Sequence, residues 1–244
     1  MKINGIDISE QFGARVAQWR FSPETRSLKH ESEWVRGSPL PIFQTPSATF
    51  KDFTVTLMVY GDGRDDIMLK ISDILAALLD TAELELDGWT HKFCGVLEKS
   101  GVKELSETSR KRFMELSLQF SGYEHGDEVS IEASGSTISI TNPGNMVSPA
   151  IIELTPTVGQ SEITISGLCR DSATGEALAV TVSNLTTGNT VLLDGISGLV
   201  TENGELKAGD VDMWALPTLL PGLNTVTIST EYMETIIKVL PIFA

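Results

Sequence analysis

Residues 141–156 read TNPGNMVSPAIIELTP, and this stretch decides how the chain divides. An Asn-Pro-Gly turn is followed by an apolar run that has Pro149 at its start and Pro156 at its end. Proline cannot donate a backbone hydrogen bond, so within sheets it is confined to strand starts, edges and bulges. The stretch therefore predicts an early strand of a separate β-domain, which we place at residues 129–244.

The rest of this second domain repeats the same rhythm of short, alternating segments separated by Gly, Asn, Asp and Ser turns. The segments follow one another at about ten residues, which is typical of an antiparallel β-sandwich. No helix of normal length can be placed after residue 129. In chain order the predicted strands are VSIEA, STISITN, AIIELTP, SEITISGL, LAVTVSNL, NTVLLDG, GLVTEN and NTVTISTE.

Residues 1–128 combine strands with a single helix, so the fold class is mainly β with an α+β first domain. Alternating apolar residues predict strands in KINGIDIS, in residues 14–21, 49–60 and 112–120, and in a hairpin over 83–98 with Asp87-Gly88 as its two-residue turn. The helix is predicted over residues 64–80, because Ile67, Ile71, Ile74, Leu75 and Leu78 recur on one helical face.

The distribution of charge supports the same division. The 244-residue chain has a formal net charge of −15. Residues 1–128 carry 15 Lys+Arg and 21 Asp+Glu, whereas residues 129–244 carry 3 and 12. A chain this acidic lacks the basic face of a nucleic-acid-binding protein and does not favour anionic membrane surfaces.

Neither the cysteines nor the hydropathy pattern suggests export or membrane insertion. Cys94 and Cys169 fall in different predicted domains, which favours two reduced thiols over a disulfide. The N-terminal residues have no apolar core of a signal peptide, and no apolar run approaches the ~20 residues of a membrane span.

The sequence offers little chemistry. His30, His91 and His125 lie outside any nucleophile motif, and no clustered His/Cys metal ligands or phosphate-binding loop is present. GDGRDD at 61–66 fits a helix start better than a calcium loop. GDVDMW at 209–214 places two aspartates on one face of a strand or turn, which we interpret as a solvated loop. We expect no catalytic residue, metal or cofactor.

Sugar binding has only thin support in the second domain. Carbohydrate-binding faces usually present several aromatic side chains, whereas Trp214, Tyr232 and Phe243 are the only aromatic residues after residue 129. A carbohydrate-binding module is therefore kept as an alternative interpretation.

Residues 30–48 form an unusual segment that is both apolar and rich in proline. Three prolines interrupt any central strand here, yet the segment is too apolar for an idle loop. We interpret it as an extended arm or loose hairpin. One hypothesis is that it bridges to another subunit, and the other is that it folds onto its own domain. The candidate contact residues are Trp34, Val35, Leu40, Ile42 and Phe43.

In this order, the pieces resemble the distal tail protein (Dit) family of long-tailed bacteriophages. The resemblance covers most of the chain, and the order of its motifs carries it, since each motif alone is common. The arm departs from the family's frequent arginine- and glycine-rich signature. The motifs are the opening NGI turn, DFTVTLMVYGDG, the helix RDDIMLKISDILAALLD, the hairpin ELELDGWTHKFCGVLE, RFMELSLQFSGYEHG, TNPGNMVSPAIIELTP, SEITISGL, VLLDGISGLVTENGEL and LLPGLNTVTIS.

The resemblance implies a structural virion protein without enzymatic activity. First domains would form a hexameric ring at the distal end of the tail, with DNA passing through its lumen, and the second domain would be a galectin-like jelly roll. The partners would be the tail tube protein, the tail-tip protein and receptor-binding proteins. Assembly would take place in the host cytoplasm, from a phage or prophage gene.

Two other functions differ from this one in kind. A carbohydrate-binding adhesin would act through the second domain as a monomer or trimer. A hydrolase is disfavoured because no base and nucleophile pair is visible.

Overall fold

A computed structural model describes residues 1–21, 32–33, 42–43, 50–104, 112–171 and 174–243. The chain divides into two compact units, Met1–Glu124 and His125–Ala244. The sequence places the boundary a few residues later, at 128/129. The last long strand of the first unit ends at His125, one residue past the division.

The first unit is built on one antiparallel sheet with two helices. Its strands follow the order β2-β1-β7-β8-β9-β6-β3. The elements are β1 (Lys2–Ile3), β2 (Ile6–Asp7), α1 (Ile8–Phe12), β3 (Ala14–Phe21), β4 (Ser32–Glu33), β5 (Ile42–Phe43), β6 (Lys51–Gly61), α2 (Arg64–Ala76), β7 (Ala82–Glu85), β8 (Lys92–Glu104) and β9 (Arg112–His125).

The predicted alternation of strand 49–60 is confirmed in β6. Phe53, Val55, Leu57 and Val59 are fully buried, while the residues between them are partly exposed. Strand β6 pairs with β9 in an unbroken antiparallel register, in which Phe53 lies opposite Phe120. Because side chains of directly opposed residues lie on the same face, the two strands present one apolar surface to the core.

Helix α2 begins as predicted but ends earlier. It starts at Arg64, with Asp65 and Asp66 in its first turn, and ends at Ala76 instead of residue 80. The chain then tightens into a turn in which the backbone N–H of Leu78 donates to the carbonyl of Leu75. Leu78 is buried nonetheless, so its apolar spacing reflects the core rather than a continued helix.

The second unit is an antiparallel sandwich, as predicted. One sheet has the order β10-β21-β12-β15-β16-β17 with β19 beside β12, and the other has the order β11-β20-β13-β14-β18. The elements are β10 (Val129–Ser134), β11 (Thr137–Asn142), β12 (Ser148–Pro156), β13 (Gln160–Arg170), β14 (Ala177–Leu185), β15 (Val191–Asp194), β16 (Val200–Glu202), β17 (Glu205–Leu206), a 3₁₀ turn (Ala208–Asp210), β18 (Val211–Asp212), β19 (Thr218–Leu219), β20 (Gly222–Ile228), β21 (Met233–Val239) and β22 (Ile242–Phe243).

Side chains from both sheets fill a single core in this unit. Ile152 and Ile237 come from one sheet, Ile165 and Val226 from the other, and all are buried. Residues Pro149 and Pro156 lie at the second and last positions of β12, as the opening stretch predicts. The galectin-like topology that the resemblance implies stays a prediction.

Candidate functional site

The predicted arm lies mostly outside the described residues, including Trp34, Val35 and Leu40. Ile42 and Phe43 form β5, which pairs antiparallel with β4. In that register Ser32 lies opposite Phe43 and Glu33 opposite Ile42. The backbone of the segment thus includes a small hairpin. Its role as a subunit contact stays a prediction.

Large apolar side chains are exposed around the rest of the first unit. Phe50, which follows the arm segment, is 71% exposed. Leu69 on α2 and Leu79 just after it are 66% and 83% exposed. A contiguous patch of such side chains would mark a contact with another protein, whereas single exposed apolar residues are ordinary on protein surfaces.

A buried ionic cluster surrounds Glu124 in the first unit. Its Oε2 accepts a hydrogen bond from Lys51 Nζ, while Oε1 lies 2.8 Å from Nδ1 of His91 and 3.1 Å from the donating Nε1 of Trp89. Trp89 also packs edge-on against Trp19, with ring centroids 5.4 Å apart. The cluster ties three strands and a loop together.

The neighbours of Glu124 set its charge. Burial raises the pKa of Glu124, but the hydrogen bonds from Lys51 and His91, the charge of Lys51 and the Trp89 hydrogen bond outweigh it. The net pKa therefore lies below its usual value, and the carboxylate is ionised at neutral pH. Its partners saturate both oxygens, which suits a structural role better than proton transfer.

The surroundings of His125 and of Cys169 also suit a structural role better than a catalytic one. His30 lies outside the described residues. Nδ1 of the buried His125 lies 2.9 Å from the carbonyl of Gly126. Both cysteines are free thiols. Burial raises the pKa of the Cys169 thiol to about 11, and its Sγ donates to the carbonyl of Ala215 at 3.0 Å.

The two acidic stretches have different surroundings. Asp66 accepts hydrogen bonds from the backbone N–H of Asp62 and from Lys70, which closes the turn before α2. Asp210 pairs with Lys207 and accepts a hydrogen bond from Asn184, while Asp212 lies exposed on β18. Among the described residues, no group of three or more His, Cys, Asp and Glu is arranged to hold a metal ion.

Asp210 and Asp212 both line an open polar pocket in the second unit. The sequence places these two aspartates on one face of a solvated loop, and the structure adds the strands that complete the pocket. Its volume is about 630 Å³. The lining residues are Glu162, Thr181, Ser183, Asn184, Gly209, Asp210, Val211 and Asp212.

No helix in the described part of the chain has the length and apolar character needed to cross a membrane.

The fold is similar to that of solved phage tail proteins. The crystal structure of the SPP1 Dit (gp 19.1) protein, described as a paradigm of the hub adsorption apparatus in phages that infect Gram-positive bacteria, aligns with a TM-score of 0.75 and 15% identity. The alignment covers 99% of this chain and 98% of that one. A chain of the phage P2 baseplate, in its activated conformation with Ca, aligns with a TM-score of 0.53 and 10% identity, over 96% and 92% of the two chains.

Sequence comparison alone finds no such likeness. No protein-family model matches the chain, and no curated protein matches its sequence. The Dit resemblance drawn from the order of motifs is therefore confirmed in the fold, which this chain shares with the SPP1 protein along almost its whole length.

Proposed function

We propose that this chain, which has the Dit fold, is a non-enzymatic structural hub at the distal end of a phage tail. The observation that carries the proposal is the full-length structural match to the SPP1 Dit protein, since both units align and neither chain has a large unmatched part. In this role the first unit would form a homo-hexameric ring that joins the tail tube to the tail-tip and receptor-binding proteins.

Two features of the first unit support assembly. The hairpin of β4 and β5 pairs with no strand of the main sheet among the described residues. Phe50, which follows the arm segment, exposes most of its side chain. An arm that reaches a neighbouring subunit would remove such apolar surface from water and would close a ring by a repeated contact.

The net charge of the chain supports passage of DNA without retention. At −15, a ring of these subunits would repel phosphate groups rather than bind them. In this proposal, acidic side chains face the lumen of the ring and the basic partners lie elsewhere in the tail.

The test is the mass of the purified full chain in solution, measured by light scattering. A ring has six times the 26.4 kDa mass of one chain. A variant with Trp34, Ile42 and Phe43 changed to serine should fall to monomers. The matched control changes Leu206 and Leu223, which are exposed apolar residues of the second unit, to serine and should keep the ring.

A folded monomer for both the unaltered chain and the arm variant would overturn the intrinsic ring. A hexamer that survives the arm substitutions would retain the ring but overturn the arm as its contact. A monomer that binds glycans would favour the alternative, a carbohydrate-binding adhesin.

A further inference from the structure

The outer face of one sheet in the second unit is apolar at the end where β12 begins. In the short ladder of β12 and β19, Ser148 lies opposite Leu219 and both are buried, whereas Pro149 lies opposite Thr218 and both are partly exposed. Side chains of a strand alternate between its two faces, so residues two positions from Pro149 or Thr218 point outward with them. These outward residues, which we call the uncharged face, are Val147, Pro149, Leu216, Thr218 and Leu220.

Three members of the uncharged face are apolar residues with much of their surface in water. Val147 is 50% exposed, Leu216 is 47% exposed and Leu220 is 36% exposed. The strand register makes them neighbours, since Val147 and Leu220 directly follow the paired residues Ser148 and Leu219 at the same end of the ladder. They therefore form a contiguous surface instead of scattered single residues.

The turn at residues 195–199 extends this surface beside Leu216. A backbone hydrogen bond holds the turn to β12. A Cβ added at Gly198 would lie 3.4 Å from Cδ2 of Leu216, so the turn packs against that side chain. Two other residues of the turn, Ile196 and Leu199, are 53% and 51% exposed.

The segments that build this surface carry no charge. Residues 141–152, 195–201 and 213–230 contain no Asp, Glu, Lys or Arg, in a chain that has 33 acidic and 18 basic residues. At the edge, the carboxylate of Asp194 already accepts hydrogen bonds from Ser197 and from the N–H of Ile196. A charged group placed on this surface would lose water without gaining a counter-charge, so the matching partner is also uncharged and apolar.

The size of the surface suits a short segment better than a second copy of itself. Its five half-exposed aliphatic side chains offer roughly 400 Å², whereas each partner of a stable protein interface contributes roughly 800 Å². Two such faces pressed together would therefore make a weak dimer. A segment that inserts two or three apolar side chains needs no larger area.

The chain itself contains a segment with this chemistry. Residues 38–48 of the arm read SPLPIFQTPSA and contain no charged residue. Leu40, Ile42 and Phe43 are large and apolar, and three prolines surround them. Proline restricts the backbone of an unbound segment, so such a segment loses less conformational freedom when it binds.

We propose that the uncharged face of one copy docks residues 38–48 of a second copy. Leu40, Ile42 and Phe43 would cover the apolar side chains of the face and remove them from water. The inference rests on the hub proposal for the use of the arm as a contact between subunits, and it adds the surface that receives the arm. Because the arm of one copy meets a different surface on the next, the contact can repeat around a ring.

The experiment uses the full chain with Leu40, Ile42 and Phe43 changed to serine, so that its own arm does not compete. A synthetic peptide of residues 38–48 carries a fluorescein label, and fluorescence anisotropy follows its binding to this protein. We expect saturable binding with a Kd on the order of 100 μM, because a short peptide makes few contacts. The same peptide with its three large apolar residues changed to serine should not bind.

A face variant and a matched control locate the contact. Leu216→Ser combined with Leu220→Ser should weaken binding of the peptide more than about tenfold, since it removes two apolar contacts. Val158→Ser combined with Leu206→Ser changes residues of the same unit that lie outside the face and are 51% and 75% exposed. This control should leave the Kd unchanged. Thermal unfolding checks that both variants are folded.

The mass of the particle separates this inference from the hub proposal. If the chain with its native arm forms a ring, the face variant in that chain should fall to monomers. Peptide binding by a chain that forms no ring would support the docking contact and count against the hub.

Four results would overturn the inference. They are no saturable binding of the peptide, equal binding by the face variant, a ring that the face substitutions leave intact, and a native-arm monomer that excludes the peptide. In the last case the arm would occupy the face of its own copy.

Discussion

Lys51 and Glu124 form a buried ion pair that joins the first residue of β6 to the penultimate residue of β9. Both side chains are less than 10% exposed. The pair links β6 to β9 at the end of the sheet where the chain passes from the arm segment into β6. Removal of one partner of a buried pair is costly because the other charge is left without compensation.

The first prediction concerns acid stability. Glu124→Gln should lower the free energy of unfolding of the first unit by about 3 kcal/mol at neutral pH, since it removes the carboxylate from the buried ion pair with Lys51. The pKa of Glu124 is lowered in the folded state. Its contribution is therefore complete above the unfolded pKa of about 4.3 and is lost as the pH falls through the folded pKa.

Denaturant unfolding at neutral and acidic pH measures this effect. The unaltered chain should lose its advantage over Glu124→Gln in acid. Glu98→Gln, which changes an exposed glutamate on β8, is the matched control and should behave like the unaltered chain. Equal stability of all three proteins at neutral pH would contradict the role of the ion pair.

The second prediction concerns the close approach of β8 and β9. A Cβ added at Gly122 would collide with the carbonyl oxygen of Cys94 and would lie 2.5 Å from the Cα of Gly95. Backbone atoms cannot yield as a side chain can, so Gly122→Ala should destabilise the first unit by about 2 kcal/mol or more.

Gly101→Ala is the control, because a Cβ there meets no atom within 4 Å. It should be neutral or slightly stabilising, because alanine in a strand such as β8 loses less conformational freedom on folding than glycine. Thermal unfolding compares the two. A larger loss in Gly101→Ala than in Gly122→Ala would show that backbone contact does not limit the sheet here.

The third prediction concerns Asn142, which organises the turn before β12. Its Nδ2 donates to the carbonyls of Met146 and Leu219, and its Oδ1 accepts from the N–H of Gly144 at 2.9 Å. The residue is 1% exposed. Asn142→Ala should destabilise the second unit by about 2–3 kcal/mol, because it strands several buried backbone groups.

The exposed neighbour Thr141 provides the comparison, and Thr141→Ala should cost less than about 0.5 kcal/mol. Urea unfolding followed by far-UV circular dichroism compares the two variants. If both alanine variants unfold at the same urea concentration, Asn142 does not hold the turn.

The fourth prediction concerns thiol reactivity. The thiolate is the reactive form, and burial raises the pKa of Cys169 to about 11. Near pH 8 the folded protein should react with a thiol reagent at the partly exposed Cys94 only, and the second equivalent should appear after denaturation. Cys94→Ser should abolish the native signal. A rapid second equivalent in the folded state would contradict the burial of Cys169.

Local patterns could predict much of this fold. The period-two alternation of Phe53, Val55, Leu57 and Val59 is visible in the sequence, and burial follows it. Strand β21 is not among the predicted strands, although Met233, Ile237 and Val239 carry the same alternating signal and are buried. This strand lies between β10 and β12, so without it β10 has no link to the rest of its sheet.

Turns were predicted less well where tertiary contacts decide them. Asp87-Gly88 was expected to be the whole turn of a two-residue hairpin. The ladder instead stops at Glu85 and Lys92, which lie opposite each other, and leaves a six-residue loop between them. Trp89 and His91 in that loop contact Glu124, and this long-range cluster overrides the local hairpin preference.

The polar pocket and the buried ion pair could not be predicted from the sequence, because long-range strand pairing brings their residues together. The stretch GDVDMW indicated Asp210 and Asp212, but Glu162 and Thr181 join them only through the pairing of β13, β14 and β18. Lys51 and Glu124 are 73 positions apart. No spacing rule brings such residues together until the strand order is known.

The two apolar cores have a consequence for how such chains evolve. The cluster that contains Phe53 and the cluster that contains Ile152 have no residue in common. A genetic exchange at the junction near His125 would therefore separate two intact cores and cut through neither. Recombination could exchange one unit while it retains the other, and each exchanged unit would carry its own folding information.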